Sequence, residues 1–410
     1  PTARPLCWAF TSSHFGAPTS SSSPLQVHEC PNQGYCSYTL FLPDTQQIIQ
    51  FRPRPHQLNT TLSRLAREVY GVMAPETRSL GVLPIPSPDH DRDPAAVLLL
   101  FVYAMTLVPG ISLTDFRRRS ASPLSGEVRV QRAILVKDFA RFLATGWKAR
   151  RPREAIPFSS GRLGGSLRAR AEMMREGLPI RFRGAVAEVL GAMERVEALP
   201  WVLTHGDVVA DNIMVEPDGG TERGTGWWPG TMRGMLDWAE SEYLPFGVGM
   251  YGLEEMLGQS VRVWDGEGRG WRERFAYYPE AGDLRRLFWQ ELERAVPVLA
   301  GDREVRDAVE KARVLGVLLW RGFAFDDGRI NRVVQEGRDQ AEVQRLDMFL
   351  FGTDDPEMMG HAQVAPGHGE MEGQGGIKKP LVTVTVAESE KQSEVPKRWN
   401  LTRRISSMLM

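Results

Sequence analysis

The stretch Leu203–Val215 sets four polar side chains that could do chemistry between two apolar runs. It reads LTHGDVVADNIMV, and its polar members are His205, Asp207, Asp211 and Asn212. Short apolar runs bounded by turn residues are typical of buried strands, so the polar residues fall on a connecting loop. Polar groups this close to a core are costly unless they are paired or bind something. The loop is therefore either a hydrogen-bonded turn or a functional site.

A further acidic residue favours the site. Asp237 stands in LDW, at the end of the strand-like run that follows a Gly-rich turn. Phosphoryl transfer needs a carboxylate that orients and deprotonates the attacking hydroxyl, and it needs oxygen ligands for Mg²⁺. Asp207 suits the first role, and Asn212 and Asp237 suit the second. A strand, a turn and a returning strand would bring Asp237 beside Asn212, and we predict that these residues converge.

Other interpretations of the loop are weaker. Asp and Asn close turns readily, so a plain turn accounts for His205, Asp207 and Asn212 when Asp237 is disregarded. A metallohydrolase pair made of His205 and Asp207 lacks companions, because the other histidines fall mostly in predicted loops or tails. A calcium-binding loop lacks the glycine and the closing glutamate at the required offsets.

Composition describes an ordinary soluble protein. The chain has 410 residues, 42% of them apolar and 25% charged, which is enough for two lobes sharing a cleft. Its formal net charge of −1 predicts no nucleic-acid partner. The longest apolar run, 95–108, is shorter than the roughly 20 residues of a spanning helix, so we predict a core strand and no membrane span. An odd set of 3 cysteines indicates a reducing compartment, and we predict a cytoplasmic location.

Patterning along the chain predicts an α+β protein in four parts. Residues 1–25 are rich in Ser, Thr and Pro and are predicted to be disordered. Residues 26–105 are β-rich, with the runs YCSYTLFL and QQIIQFR flanking a turn and one amphipathic helix following Asn59. Residues 106–352 are mainly helical, with a small hairpin. Residues 353–410 are predicted to form a disordered tail.

The two motifs HGDVVADN and LDW resemble the His-Gly-Asp-x4-Asn and Asp-Trp/Phe pair of the aminoglycoside phosphotransferase and choline kinase family. The segments GYCSYTLFL, IIQFR, FVYAMTLVPGISL, LDWAESEYLPFG and LGVLLWRGFAFDDG follow the family's order over about 27–352. Within this family, the sequence most resembles the aminoglycoside phosphotransferase domain proteins of filamentous fungi. The resemblance implies a two-lobed protein-kinase-like fold, with a small antiparallel-sheet lobe carrying one helix and a larger, mainly helical lobe.

The resemblance also implies a function and its machinery. The chain would be a kinase that uses ATP or GTP and Mg²⁺ to phosphorylate a hydroxyl group of a small molecule. Asp207 would be the catalytic base, Asn212 would assist it and bind Mg²⁺ together with Asp237, and His205 would brace the loop. Sugars, amino alcohols, nucleosides and lipids stay open as acceptors, and the oligomeric state stays open as well.

The nucleotide site follows from the same resemblance. The turn NQGYCS, from Asn32 to Ser37 and including Gly34, would cover the phosphates. The segment MTLV would be the hinge, where the backbone groups of Thr106 and Val108 meet the base.

Departures from the family pattern keep a second function open. The strand that should carry a phosphate-binding Lys reads IIQFRPRP, so Gln50 or Arg52 stands there. We favour Arg52 because the role needs a cation, and we predict Glu68 on the following helix as its partner. The phosphate loop has a single glycine, Gly34. The alternative is a kinase-shaped binding or scaffold protein with weak or no turnover, although the intact set of Asp207, Asn212 and Asp237 favours an enzyme.

Overall fold

The computed structural model describes residues 3–16, 25–31, 33–34, 36–86, 97–119, 125–156, 163, 166–217, 227–264, 271–326 and 329–352. These residues form two compact units. Unit 1 takes the described residues up to Pro109 together with Arg233–Ser241, and unit 2 takes those of Gly110–Met232 and from Glu242 onward. The predicted tail, 353–410, lies outside the described residues.

Unit 1 is built on a five-stranded antiparallel sheet with the strand order β1-β2-β3-β5-β4. The strands are β1 (His28–Glu29), β2 (Tyr38–Leu42), β3 (Gln47–Pro53), β4 (Thr77–Pro86) and β5 (Val97–Thr106). The predicted hairpin is confirmed as β2 and β3, in which Leu40 pairs with Ile49. Because side chains alternate along a strand, Tyr38, Leu40 and Leu42 of β2 and Ile49 and Phe51 of β3 face one apolar cluster.

The prediction of disorder over 1–25 is wrong for Ala3–Phe15, which form helix α1. Ala3, Cys7 and Thr11 recur every four residues and are buried, so one face of the helix covers the apolar face of the sheet. The Trp8 indole N–H donates to the Tyr38 hydroxyl at 2.8 Å. The Ser/Pro-rich run that follows α1 dominates the composition of 1–25, and a composition argument therefore overlooks the apolar residues at its start.

The second helix of unit 1 is the one predicted from its apolar spacing. Helix α2 spans Thr60–Tyr70, and the Asn59 side chain caps it by accepting from the amides of Thr61 and Leu62 at 3.1 and 3.3 Å. Gly71 ends the helix in the left-handed region, with φ +58°.

Unit 2 is mainly helical. Its helices are α3 (Leu113–Arg119), α4 (Gly126–Lys148), α5 (Leu167–Gly177), α6 (Ile180–Gly191), α7 (Met193–Glu197), α8 (Gly252–Leu257), α9 (Ala281–Ala295), α10 (Val298–Gly301), α11 (Arg303–Arg321) and α12 (Gln340–Phe351). The remaining strands of the chain are β6 (Ile111–Ser112), β7 (Trp201–Thr204), β8 (Ile213–Val215), β9 (Met232–Met235), β10 (Glu242–Pro245), β11 (Gly258–Trp264), β12 (Trp271–Tyr277), β13 (Phe323–Asp326) and β14 (Arg329–Val333).

Short antiparallel strand pairs lie between the helices of unit 2 along the chain. Strand β6 pairs with β8, β7 with β10, β11 with β12 and β13 with β14. The predicted α+β class and its two-lobed organisation are confirmed, since one unit carries the main antiparallel sheet and the other most of the helices. None of the described helices is long and apolar enough to cross a bilayer.

The long helix α11 lies directly against the 3₁₀ turn Val248–Tyr251 because one of its residues has no side chain. A Cβ on Gly316 would overlap the carbonyl oxygen of Val248. Gly247, which precedes this turn, has φ +108°, and a Cβ there would lie 2.7 Å from the Val309 carbonyl oxygen. Close packing of α11 on the turn therefore requires both glycines.

We expect Gly316→Ala to lower the free energy of unfolding by about 1–3 kcal/mol, because a methyl group must push helix and turn apart. Gly184 is the matched control: it lies within α6 with open space around its Cβ position. Gly184→Ala should instead gain about 0.5–1 kcal/mol from helix propensity. Urea unfolding of both variants measures the difference. Equal stability of Gly316→Ala and wild type would contradict the contact between α11 and the turn.

Candidate active site

The loop 205–212 connects β7 and β8 in unit 2 and brings two predicted site residues together. Asn212 Nδ2 donates to Asp207 Oδ2 at 2.9 Å and to the Asp207 carbonyl oxygen at 3.0 Å. Gly206 has φ +85°, which lets the chain turn sharply before Asp207. Because the amide nitrogen of Asn212 faces Asp207, its amide oxygen is the end that can meet a cation.

His205 has the bracing geometry predicted for it. The side chain is 2% exposed, and its Nδ1 accepts the Asp207 backbone N–H at 3.2 Å. A neutral imidazole that accepts at Nδ1 carries its proton at Nε2. The ring thus fixes the backbone at the start of the loop through a hydrogen bond that needs a neutral histidine.

Asp237 lies in unit 1, and Leu236 separates it from the end of β9. Its backbone has φ +54°, and Gln46 is the other non-glycine residue with positive φ in the part of the chain described. The side chain is 47% exposed. The following residue, Trp238, is buried, donates its indole N–H to the Met235 carbonyl at 3.0 Å and packs on Tyr70 with ring centroids 5.0 Å apart. Packing of Trp238 therefore holds Asp237 in a strained conformation, a feature that concentrates at functional sites.

Arg52 on β3 is buried and close to Asp237. It is 3% exposed, its Nε donates to the His56 carbonyl oxygen at 2.8 Å and its Nη1 donates to Gln50 Oε1 at 3.0 Å. The same Nη1 lies 3.7 Å from Asp237 Oδ1. Gln50 and Arg52 thus lie on one side of the strand, as alternation predicts, and the structure joins Arg52 to Asp237.

The predicted pairing of Arg52 with Glu68 is wrong. Glu68 lies on the exposed face of α2, where it forms an ion pair with Arg64 at 2.8 Å, one helical turn away. The buried face of α2 carries Leu62, Ala66 and Tyr70 instead. Asp237, which is distant in sequence, is the carboxylate that lies next to Arg52.

Gly34 and Ser37 belong to the turn before β2, while Asn32 and Tyr35 of that turn lie outside the described residues. Gly34 is exposed, and a Cβ on it would lie 3.3 Å from Ser37 Oγ. Ser37 is buried, with its Oγ 3.2 Å from Thr39 Oγ1. Their contact with phosphate stays a prediction.

Cys36, in the same turn, is near Arg52. Burial raises the pKa of the Cys36 thiol to about 11, an effect that Arg52 opposes and that Asp237 and Glu240 strengthen. The thiol is therefore neutral at physiological pH and supplies no anion to the candidate nucleotide site.

Thr106 and Val108 lie at and just beyond the end of β5. The Thr106 amide donates to the Glu76 carbonyl at 3.0 Å, and its hydroxyl accepts from the Glu76 amide at 2.9 Å. The Thr106 amide is therefore already paired, and contact of Thr106 with a nucleotide base stays a prediction. Val108 is buried, and its role stays a prediction.

Sequence reasoning did not identify Tyr251 as part of the site. Its hydroxyl accepts the backbone N–H of Val208, the residue after Asp207, at 2.6 Å. The available signal was the Gly-rich run FGVGMYG, which indicates close backbone packing but does not show against which segment.

A family model matches the part of the chain that carries most of these residues. Residues 51–246 match the model of the phosphotransferase enzyme family. The match contains Arg52, Asp207, Asn212 and Asp237. No curated protein is similar enough to this chain to be counted as a relative.

Several solved structures are similar to this chain at low identity. Aminoglycoside phosphotransferase APH(3'')-Id from Streptomyces rimosus is 15% identical, with 76% of this chain and 98% of that chain covered and a TM-score of 0.38. The putative aminoglycoside phosphotransferase from Ralstonia eutropha is 15% identical, with 77% and 96% covered and a TM-score of 0.38. Choline kinase LicA from Streptococcus pneumoniae is 12% identical, with 75% and 98% covered and a TM-score of 0.32.

The family model and the motifs agree on the same region of the chain. The segment that carries HGDVVADN and LDW is the segment that the model matches. Residues 51–246 therefore match the phosphotransferase enzyme family, and this match confirms the family resemblance predicted from the motifs.

Proposed function

We propose that this protein is an ATP- and magnesium-dependent kinase that transfers the γ-phosphoryl group of a nucleoside triphosphate to a hydroxyl group of a small molecule. The observation that carries the proposal is the hydrogen-bonded pair Asp207–Asn212 on the loop between two buried strands, inside the region that matches the family. GTP is the alternative donor. The acceptor is a sugar, amino alcohol, nucleoside or lipid that presents a free hydroxyl.

Asp207 has the contacts expected of a general base. The bond from Asn212 Nδ2 orients the Asp207 carboxylate, and a carboxylate is the group that can take the acceptor's proton. The peptide groups on both sides of Asp207 are held, since the His205 ring accepts the Asp207 amide and Tyr251 accepts the next amide. A positioned base typically contributes about 10²–10⁴-fold to the rate.

Asn212 and Asp237 are the residues that would hold Mg²⁺. Their donor atoms, an amide oxygen and carboxylate oxygens, are the hard ligands that Mg²⁺ prefers. In the described part of the chain, no three His, Cys, Asp or Glu side chains gather into a metal site. Mg²⁺ is usually bound by one or two carboxylates together with phosphate oxygens. When bound, the ion would neutralise charge on the phosphates.

Arg52 would supply the cation of the nucleotide site. A buried guanidinium is costly without partners, and Arg52 has Gln50, the His56 carbonyl and Asp237. Gly34 and Ser37 would cover the phosphates, and the Thr106 carbonyl and the Val108 backbone would meet the base.

We expect Arg52→Gln to weaken ATP binding about tenfold or more, since a hydrogen bond to a charged group is worth about 1.5–3 kcal/mol. Arg64→Gln is the matched control, because it removes an exposed arginine from α2 and breaks only the pair with Glu68. Calorimetric titration of both variants with ATP and Mg²⁺ measures the difference. Unchanged affinity in Arg52→Gln would move the phosphate role to Gln50 or another cation.

A binding or scaffold protein without turnover is the second candidate. The contacts of Arg52 favour this second candidate. The guanidinium stands where the family pattern has a phosphate-binding Lys, and it already has three partners within unit 1. A thermal-shift measurement with Mg²⁺ and ATP tests nucleotide binding, since a ligand that binds the native state raises Tm. Release of ADP over a library of hydroxyl compounds, with Asp207→Ala as blank, tests turnover. Binding without ADP release would favour the scaffold.

A further inference from the structure

A buried phenol holds the loop that carries the proposed base. Tyr251 is 1% exposed, and its hydroxyl accepts the Val208 amide N–H at 2.6 Å. Val208 directly follows Asp207, so this bond fixes the peptide group that leaves the proposed base.

Tyr251 lies in a segment that packs unusually closely on the loop and on the strand before it. This segment, Gly247–Gly252, is buried throughout. A Cβ on Gly249 would lie 2.8 Å from Thr204 Cγ2, at the end of β7, and a Cβ on Gly252 would overlap Val208 Cγ1. The glycines thus allow the backbone of the segment to approach within reach of the loop's amides.

The aromatic ring of Tyr251 is held by a second contact, separate from the hydrogen bond of its hydroxyl. It stacks on Trp320 of α11, with ring centroids 4.2 Å apart and an angle of 14° between the planes. Helix α11 itself is held against the segment at Gly316. The hydroxyl therefore has a fixed position relative to a long helix.

The hydroxyl is also uncharged. Burial raises the pKa of Tyr251 well above its usual value, and the negative charge of Asp207 strengthens the effect. A neutral anchor can accept the Val208 amide without adding a second negative charge beside Asp207. Phosphoryl transfer brings further negative charge to this place, which a neutral anchor tolerates better than a carboxylate would.

We infer that Tyr251 is a positioning residue, which acts through the Val208 peptide to hold the Asp207 carboxylate in the direction that meets the acceptor hydroxyl. The inference rests on the proposed function for its kinetic consequence. Its geometric part, the anchoring of the 205–212 loop, stands independently of any reaction.

Tyr251→Phe tests the inference, because it keeps the ring and its stacking and removes only the hydroxyl. We expect kcat for ADP release to fall about 10–100-fold, the loss typical of a displaced catalytic group, while the Kd for ATP with Mg²⁺ stays unchanged. Amide hydrogen exchange over 205–212 should become faster, since Val208 loses its acceptor.

Tyr38→Phe is the matched control. Tyr38 is also a buried phenol that accepts an N–H, from Trp8 at 2.8 Å, but it lies on the α1 side of the unit 1 sheet. We expect a lower Tm from Tyr38→Phe with no change in kcat or in exchange over 205–212. Equal losses of kcat in the two variants would show that Tyr251 contributes stability alone and would overturn the inference.

A double variant separates this inference from the proposed function. If Tyr251 acts through Asp207, Tyr251→Phe should cost almost nothing further in an Asp207→Asn background, because the two residues work as a unit. Additive losses would overturn the positioning role. A wild-type chain that releases no ADP with any acceptor would refute the proposed function, while unchanged loop exchange in Tyr251→Phe would refute the anchor.

Discussion

Replacing Asp207 with Asn is expected to lower turnover by about 10²–10⁴-fold while ATP affinity stays close to that of wild type. The amide keeps the size of the carboxylate but is too weak a base to take the proton of the acceptor hydroxyl. ATP affinity should survive because the residues proposed for the nucleotide lie on β3, on β5 and in the turn before β2. Steady-state ADP release and calorimetric ATP titration measure the two quantities.

Asp211→Asn is the matched control for that experiment. Asp211 lies on the same loop, but it is exposed, whereas Asp207 is half-buried beside Asn212. We expect wild-type turnover from Asp211→Asn. If Asp207→Asn turned over as fast as wild type, Asp207 would not be the base, and the loop would be a hydrogen-bonded turn.

Asp237→Asn is expected to weaken magnesium-dependent ATP binding by about 10²-fold or more and to reduce turnover with it. Loss of a residue that only hydrogen-bonds to a metal ligand typically costs about 10–100-fold, and this change removes the charge of a proposed ligand itself. Asn suits this test because it tolerates the left-handed backbone that Asp237 adopts at φ +54°. The variant should therefore retain the local fold, and the loss should report on the charge.

Titration of ATP binding against Mg²⁺ measures the effect. Glu240→Gln is the control, because Glu240 is an exposed carboxylate in the same short segment of unit 1. We expect Glu240→Gln to bind Mg²⁺ and ATP as wild type does. If ATP binding by Asp237→Asn kept the wild-type dependence on Mg²⁺, Asp237 would not be a metal ligand. Its role would then be to pair with the buried Arg52.

The parts of the site that can be predicted from sequence are those set by local chain geometry. Asp207 and Asn212 lie on one tight loop between two apolar strands, so their spacing alone predicts their contact. Arg52 follows from the alternation of β3. The carboxylate partner of Arg52 cannot be predicted in this way. The choice between Glu68 and Asp237 depends on which face of α2 is buried and on where β9 ends.

The parts that escape prediction depend on contacts between distant segments. Helix α1 forms because the sheet of unit 1 offers an apolar face to Cys7 and its neighbours, and the short apolar run of α1 does not by itself show that a sheet will cover it. Tyr251 is found only when the fold places the Gly-rich segment under the 205–212 loop. Glycine spacing predicts close packing, but it does not identify the partner.

The described part of unit 1 is assembled from two separate stretches of the chain, and this has a consequence for synthesis on the ribosome. Helix α1 is synthesised before the sheet, so its apolar face has nothing to cover until β5 has been made, and a helix of 13 residues is marginal in water by itself. Arg52 gains its carboxylate partner later still, because Asp237 is translated only after all of α3 to α7. Translation up to Pro109 therefore leaves unit 1 with a buried cation that lacks its carboxylate, and the nascent chain can complete the unit only once Arg233–Ser241 has emerged.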